Sequence, residues 1–277
     1  MNSAKPFFIV SSGRSGTKLM EKLFSALPEV EMNHEYMVHH VQPAAVKHHL
    51  GLACRHETRY VLAQTHKAAV DYCEKPHWGD SSNKLTWVIE LLDELFPEAR
   101  FVHLVRDGRK VASSYFHKLA DECYADRSTA TFARYIDNHP NTGAPPPEKK
   151  YWWPQPRRGA PDRAAFLGFG QFERIAWHWA ESNRTALSKL KALSPERRLF
   201  MRLEDLTADP AQASRLLDFL GLPHPADVRA ILAKPHNVNR PVDRMLTAED
   251  TRAFWPIAGD MMRELGYDQE AEYAVNY

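Results

Sequence analysis

The chain has 277 residues, of which 44% are hydrophobic and 26% are charged, a composition typical of a packed globular protein. Its 36 Lys and Arg residues nearly balance 35 Asp and Glu residues, which excludes the strongly basic field of many nucleic-acid-binding proteins. The three cysteines are odd in number and lack metal-ligand spacing, so neither a disulfide framework nor a zinc site is expected. We therefore predict no nucleic-acid partner and no metal, and any anionic ligand must be bound locally.

The N-terminal segment predicts neither a secretory leader nor a membrane anchor. Residues 1–6 lead directly into the apolar run Phe7–Val10, which is too short for a signal-peptide core. No later run approaches the ~20 apolar residues that a membrane span requires. The sequence thus predicts a cytoplasmic protein whose residues 1–277 form one domain.

The first recognisable unit is a strand, a glycine loop and a helix. Phe7–Val10 is a continuous apolar run typical of a strand buried on both faces, and Ser11, Ser12 and Gly13 follow it. Apolar residues then recur at helical spacing from Leu19 until Pro28 ends the segment. Val30 and Met32 predict a second strand, whereas residues 39–75 are His-rich and loosely helical without a clear period.

A second strand-to-helix unit follows. Apolar residues at helical spacing predict a helix over residues 85–96, and Phe101–Val105 predicts the next buried strand. The turn after it leads into a helix that carries Val111 and Tyr115. This alternation of helices and strands is typical of an α/β protein with a central parallel sheet flanked by helices.

Residues 121–170 interrupt this alternation and predict an ordered insertion at the acceptor site or over it as a lid. The segment contains Pro145–Pro147 and the aromatic residues Tyr151, Trp152 and Trp153. The two tryptophans could stack on an acceptor ring, but burial against the body of the protein is the favoured interpretation.

The C-terminal part predicts two helices around a strand, and then a last helix. Apolar periodicity predicts a helix over residues 172–190 and a strand over Leu199–Leu203. Asp209 caps a helix with Pro210 in its first turn and Gly221 after its end. A final helix is expected from Thr247 to Gly266.

The loop after the first strand has the composition of a phosphate-binding site. At the start of a helix, free backbone N–H groups and the helix dipole both favour an anion. Glycines allow a tight turn, an arginine supplies a forked cation and hydroxyls add donors, here as Gly13, Arg14, Ser15, Gly16, Thr17 and Lys18. The loop lacks the Walker A spacing, and the alternative is a Gly-rich turn with a solvated Arg14.

A second anion site is predicted where the strand Phe101–Val105 ends. Arg106 follows this strand, and Ser114 comes about two helical turns later. Both could bind another phosphate. In the alternative interpretation, Arg106 and Asp107 form a surface ion pair and Ser114 is an ordinary helix residue.

Three ordered motifs make the sequence resemble the sulfotransferases that use 3′-phosphoadenosine 5′-phosphosulfate (PAPS). Residues 6–20, PFFIVSSGRSGTKLM, look like the 5′-phosphosulfate loop of that family, and residues 101–116, FVHLVRDGRKVASSYF, look like its 3′-phosphate site. Leu203–Leu206 with Pro210 and FLGLP is similar to a further landmark. The resemblance implies a single-domain P-loop-type α/β fold with a Pro/Trp-rich insertion.

The resemblance also implies the donor and its ligands. PAPS would be the donor, 3′-phosphoadenosine 5′-phosphate (PAP) the product, and no metal would be needed. Residues 14–18 would bind the 5′-phosphosulfate, and Arg106 with Ser114 would bind the 3′-phosphate. Lys18 departs from the usual Thr or Ser, and Arg240 only faintly matches the family's C-terminal loop.

An acceptor hydroxyl must lose its proton, and two neighbouring residues could take it. His34 and Glu35 follow the second strand at the ligand-binding edge of the sheet, and only one of two neighbours in an extended segment can face the sulfur. The resemblance to carbohydrate-type sulfotransferases favours Glu35. Asp80 and Lys84 could orient the acceptor, although helix capping by Ser82 or Asn83 is the favoured use of that segment.

Two other functions remain open from the sequence. A P-loop kinase using ATP and magnesium would share the fold and the first loop, but it has no use for a 3′-phosphate site. A catalytically silent nucleotide-binding module would keep the fold without the chemistry. A small-molecule or carbohydrate acceptor is expected, and the sequence indicates neither its identity nor the oligomeric state.

Overall fold

A five-stranded parallel sheet forms the centre of the protein. The computed structural model describes residues 4–224, 231–232 and 246–267. The strands are β1 (Lys5–Val10), β2 (Val30–His34), β3 (His77–Ser81), β4 (Arg100–Val105) and β5 (Arg198–Arg202). Their order across the sheet is β2-β3-β1-β4-β5, and every neighbouring pair is parallel. The predicted α/β class with a central parallel sheet is confirmed.

Helices connect the strands and cover the sheet. They are α1 (Thr17–Ser25), α2 (Val38–Leu50), α3 (Arg55–Leu62), α4 (Ala68–Asp71), α5 (Ile89–Leu95), α6 (Gly108–Lys118), α7 (Asp126–Asn138), α8 (Arg163–Gly168), α9 (Gln171–Leu190), α10 (Leu203–Ala208), α11 (Pro210–Leu220) and α12 (Ala248–Glu264). A π-helical turn, Ala63–Lys67, joins α3 to α4, and 3-10 turns occur at Leu85–Val88, Lys149–Tyr151 and Pro195–Arg197.

The strand order fixes the position of the site. β1 lies between β3 and β4, and its residues Phe8–Val10 are fully buried. After β1 the chain forms β2 and β3 on one side of it, and then β4 on its other side. The ends of β1 and β4 therefore border the crevice in which parallel α/β sheets bind ligands. The glycine loop and Arg106 therefore emerge side by side.

One strand was missed from the sequence. β3 has the sequence HWGDS, which lacks the apolar run that marks the other buried strands. Gly79 is required there because a Cβ atom would lie 2.4 Å from the Phe7 ring and 2.7 Å from the Met32 sulfur. The predicted strand Leu199–Leu203 is also shifted, since the strand ends at Arg202 and Leu203 begins α10.

The insertion packs against the body of the protein through its tryptophans. α7, one 3-10 turn and α8 lie within residues 121–170. Trp152 and Trp153 are 1% and 5% exposed, so burial describes them better than an open stacking platform. Within the described ranges, no helix is both long and apolar enough to span a bilayer.

Candidate anion-binding and active site

The glycine loop adopts a backbone that its two glycines permit. Gly13 and Gly16 have φ values of +83° and +93°. A Cβ atom on Gly13 would lie 1.9 Å from the Tyr115 hydroxyl, and one on Gly16 would lie 2.6 Å from Leu203. Larger residues would therefore clash as well as adopt an unfavourable backbone. Arg14 also has a positive φ, of +54°.

The first turn of α1 faces the crevice with its backbone donors. Gly16 is its N-cap, and within the described part of the chain no side chain caps this end. The first N–H groups of a helix have no intrahelical partner, so they are suited to an anion. Ser15 is buried and its hydroxyl donates to the Gly13 carbonyl at 3.0 Å. Lys18 instead forms an ion pair with Glu21, and its side chain is 44% exposed.

Two arginines and a serine converge beside this loop. Arg14 donates from Nε to the Ser114 hydroxyl at 2.9 Å. Arg106 donates from Nη1 to the Arg14 carbonyl at 3.1 Å. The three residues come from the ends of β1 and β4 and from α6, as the sequence predicted for one shared crevice. Two cations and a hydroxyl at this distance form a local site for a phosphate.

Asp107 belongs to the support of this cluster and does not pair with Arg106. Its carboxylate forms an ion pair with Arg109 at 2.6 Å and caps α6 by accepting the Arg109 N–H. The Asp107 N–H donates to Glu204 Oε1 at 3.1 Å, and the Tyr267 hydroxyl donates to the other Glu204 oxygen at 3.0 Å. Asp107 thus forms a buried ion pair with Arg109, where the alternative interpretation of the sequence placed a surface ion pair with Arg106. The Arg106 guanidinium bonds the glycine loop instead.

Glu35 lies in a tight turn at the end of β2, close to the glycine loop. Its φ is +55°. Ser81 connects the two segments, because its carbonyl accepts the Glu35 N–H at 3.2 Å and its hydroxyl donates to the Thr17 carbonyl at 3.0 Å. The candidate base and the start of α1 are therefore both bonded to the end of β3.

Two lysines control the charge of Glu35. Burial alone would raise the pKa of this carboxyl, but the charges of Lys84 and Lys149 outweigh it and lower the pKa to about 2. Lys149 also donates a hydrogen bond to Glu35 Oε2. The carboxylate is consequently ionised at neutral pH, which a proton acceptor requires.

Lys84 lies closer to the candidate base than its predicted role of orienting the acceptor required. It is 3% exposed, and its ammonium lies 4.2 Å from the centre of the Trp153 ring. Burial lowers its pKa, and Glu35 opposes this effect. The signal in the sequence was a lysine between Asn83 and the apolar Leu85, in a segment too apolar for a solvated cation.

His34 lies on the other side of the same turn. Its Nδ1 atom is 2.8 Å from the Ser81 carbonyl, and because a carbonyl only accepts, Nδ1 carries the proton. In the neutral imidazole Nε2 is then the acceptor. His34 and Glu35 are thus both near the end of β3, and only Glu35 contacts Lys149.

Residues 6–139 match the sequence model described as the sulfotransferase family. The matched segment includes the glycine loop, Glu35, Lys84, Arg106 and Ser114. This segment is therefore similar to the sulfotransferase family. No curated protein matches the chain significantly.

Solved structures of sulfotransferases resemble nearly the whole chain. The enzyme from Alicyclobacillus acidocaldarius is 18% identical over 97% of this chain and 98% of its own, with a TM-score of 0.52. The sulfotransferase domain from the curacin biosynthetic pathway is 16% identical over 96% and 98%, with a TM-score of 0.51. Sulfotransferase STF9 from Mycobacterium avium is 13% identical over 98% and 79%, with a TM-score of 0.53. At these identities the likeness concerns the fold.

The insertion is held against the body of the protein next to Glu35. The amide of Gln42, a buried residue of α2, donates to the carbonyls of Lys149 at 3.3 Å and Trp152 at 2.8 Å. The Trp152 indole donates to the Pro146 carbonyl at 2.7 Å. These bonds hold the turn that carries Lys149 against the body of the protein.

Four histidines of the His-rich segment lie in different environments. His39 and His40 are exposed, whereas His48 pairs with Glu90 at 2.8 Å and His49 packs on Trp87. Among the described residues, no group of three or more His, Cys, Asp or Glu side chains could hold a metal ion. Arg240 lies outside the described residues.

Proposed function

We propose that the protein transfers the sulfuryl group of PAPS to a hydroxyl or amine of a small-molecule or carbohydrate acceptor. The convergence of Arg14, Arg106 and Ser114 beside an uncapped helix N-terminus is the observation that carries this proposal. A doubly phosphorylated nucleotide needs two separate anion sites at one crevice, and the helix N-terminus and the arginine–serine cluster would provide one each.

The donor would span the crevice between β1 and β4. The backbone N–H groups at the start of α1, together with Ser15, Gly16 and Thr17, would hold the 5′-phosphosulfate. Arg106 and Ser114 would hold the 3′-phosphate. Arg14 lies between the two sites, because its guanidinium bonds Ser114 while its backbone belongs to the loop. Lys18 points to Glu21, so we assign its backbone N–H and not its ammonium to the donor.

The transfer would be an in-line displacement at sulfur. The acceptor oxygen or nitrogen forms a bond to sulfur, the bond from sulfur to the 5′-phosphate oxygen breaks, and that oxygen keeps the electron pair in PAP. The acceptor proton passes to Glu35. Arg14 and Lys84 are the cations placed to stabilise charge on the sulfuryl and leaving oxygens.

We assign the general base to Glu35, with His34 as the alternative. Glu35 is supported by its turn, which Ser81 links to the start of α1, and by the nearby charge of Lys84. Burial raises the pKa of the Tyr115 hydroxyl, and the charges of Arg14 and Glu35 also act on it, Arg14 lowering this pKa and Glu35 raising it. His34 remains a candidate because its Nε2 atom is the free acceptor of the neutral ring.

We further propose that residues 1–277 form one domain and that residues 121–170 border the acceptor. Lys149 and Trp153 contribute to this proposal, because one contacts Glu35 and the other packs on Lys84. The acceptor hydroxyl has to approach Glu35, so it has to pass these two residues.

Transfer of radiolabelled sulfate from PAPS to a panel of acceptors tests the function directly. We expect labelled product without added metal, and we expect PAP to raise the melting temperature in the presence of a chelator. Stabilisation by ATP with magnesium and not by PAP would favour a kinase. Binding of PAP with no transfer to any acceptor would favour a silent nucleotide-binding module.

Parallel substitutions distinguish the two candidate bases. Glu35→Gln and His34→Gln are each assayed at saturating PAPS. We expect Glu35→Gln to lose at least about 100-fold in kcat, the usual scale of general-base catalysis. A fully active Glu35→Gln enzyme with an inactive His34→Gln enzyme would reassign the base.

A further inference from the structure

A π-helical turn places a histidine inside the protein behind the candidate base. The turn Ala63–Lys67 interrupts the helical path between α3 and α4. Such turns insert one residue into a helix and are frequent at functional sites. Here the turn directs His66 inward, where its side chain is fully buried.

His66 forms a buried pair with Asp80 at the end of β3. Its Nε2 atom lies 3.1 Å from Asp80 Oδ2, and its Nδ1 atom lies 3.1 Å from the Thr65 hydroxyl. Both partners of the pair are completely buried. These contacts hold the Asp80 carboxylate inside the protein.

The other oxygen of Asp80 reaches the turn that carries Glu35. Asp80 Oδ1 accepts the backbone N–H of Tyr36 at 3.3 Å. The Tyr36 ring packs edge-on against the His66 ring, with centroids 5.6 Å apart. One carboxylate thus joins the buried histidine to the residue next to the candidate base.

This turn has a backbone that needs external support. Glu35 and Met37 both have positive φ values, +55° and +50°, although neither is glycine. Such conformations persist only where surrounding contacts hold them, and they are concentrated at functional sites. Two backbone N–H groups of this turn donate to the end of β3, that of Glu35 to the Ser81 carbonyl and that of Tyr36 to the Asp80 carboxylate.

We propose that His66 and Asp80 are a positioning pair that holds the Glu35 carboxylate at the reacting centre. His66 fixes the orientation of the Asp80 carboxylate, and Asp80 fixes the Tyr36 N–H and with it the turn. The inference deepens the proposed function and rests on Glu35 as the base. Neither residue contacts the substrate.

The chain contains a matched buried pair for comparison. His103 on β4 lies with its Nε2 atom 3.0 Å from Asn183 Oδ1, and both residues are buried. Loss of this imidazole removes a similar buried hydrogen bond on the other side of β1. It does not touch the Glu35 turn.

The experiment compares His66→Ala, Asp80→Ala, Asp80→Asn and His103→Ala. For each, kcat and the KM for PAPS are measured, and amide hydrogen exchange is followed at Tyr36. We expect His66→Ala and Asp80→Ala to lose about 10- to 100-fold in kcat with little change in the KM for PAPS, since small misplacements of a reacting group cost this much. Tyr36 exchange should rise in both.

The controls separate positioning from stability. Asp80→Asn keeps an acceptor for Tyr36 and a partner for His66, so it should recover most of the kcat that Asp80→Ala loses. His103→Ala should lose stability without a change in kcat or in Tyr36 exchange. Equal kcat losses in His66→Ala and His103→Ala, or unchanged Tyr36 exchange in Asp80→Ala, would overturn the proposal.

The exchange measurement also keeps the two proposals apart. If Glu35→Gln were fully active, the base assignment would fail, and Tyr36 exchange would still show whether the pair holds the turn. Faster exchange in His66→Ala than in His103→Ala would then support the positioning role, and equal exchange would refute it.

Discussion

The guanidinium of Arg106 donates a hydrogen bond to the backbone carbonyl of Arg14 at 3.1 Å. This bond joins the ends of β1 and β4 across the crevice, while the Arg14 side chain bonds Ser114 on α6. Two guanidinium groups held together raise the local positive potential in a chain whose net charge is only +1. The proposed anion site therefore depends on tertiary structure and not on the overall charge.

Removal of either arginine is expected to weaken PAP binding. Arg14→Ala and Arg106→Ala each lose hydrogen bonds to a charged ligand, worth about 1.5–3 kcal/mol or roughly 10- to 150-fold in Kd. Isothermal titration calorimetry without metal checks the result. Arg197→Ala is the matched control, because Arg197 pairs with Asp93 at 2.6 Å away from the crevice. Unchanged Kd in both site variants would contradict the proposed donor site.

Gly13 and Gly51 separate backbone strain from a steric clash. Both have positive φ values, +83° and +72°, but only at Gly13 would a Cβ atom meet another group, the Tyr115 hydroxyl. Gly51→Ala should cost about 1–2 kcal/mol in the free energy of unfolding. Gly13→Ala should cost about 1–3 kcal/mol more and abolish PAP binding. Denaturant unfolding checks the difference, and equal costs would argue against the tight loop.

Lys149 is expected to set the acid limit of activity through Glu35. The pKa of Glu35 is lowered from 4.5 to about 2, so its ionised form is present above the lowered value and is lost as the pH falls through it. Lys149→Met should raise this pKa and move the acid limb of kcat/KM to higher pH, between 2 and 4.5. The pH profile of kcat/KM is the measurement.

The same substitution changes the pH dependence of stability. A lowered folded-state pKa contributes stability above the unfolded value, and this contribution disappears as the pH falls from 4.5 toward 2. The contribution should be smaller in Lys149→Met. Lys150→Met is the control, since Lys150 pairs with Glu148 at 2.8 Å on the surface. Identical profiles for the two variants would contradict the role of Lys149.

Lys84 is expected to act in transfer and not in stability alone. Lys84→Met should lower kcat by about 100-fold, the scale found when one donor to a developing charge is removed, with little change in the Kd for PAP. Lys189→Met is the control, because Lys189 is a partly buried lysine that also has a lowered pKa but pairs with Glu90 at 2.6 Å. Equal loss of kcat in both variants would indicate a structural role for Lys84.

Local patterns in the sequence were sufficient for the strand, loop and helix units. Phe7–Val10 and Phe101–Val105 are continuous apolar runs, and their carboxyl ends must lie at one edge of a parallel sheet. Gly13, Arg14, Arg106 and Ser114 were therefore expected in one crevice, and the structure brings them together. β3 escaped prediction because HWGDS carries no apolar run, and its place depends on Gly79 fitting against Phe7.

The sequence by itself determined the α/β class and the candidates for anion binding, since both follow from short-range periodicity and from residue types in adjacent positions. Only the tertiary structure decided that Lys149 pairs with Glu35 across 114 positions and that His66 and the Tyr36 N–H share the Asp80 carboxylate. Contacts between distant segments depend on how the insertion and the π-helical turn pack. No local pattern of charge or hydrophobicity specifies those distances.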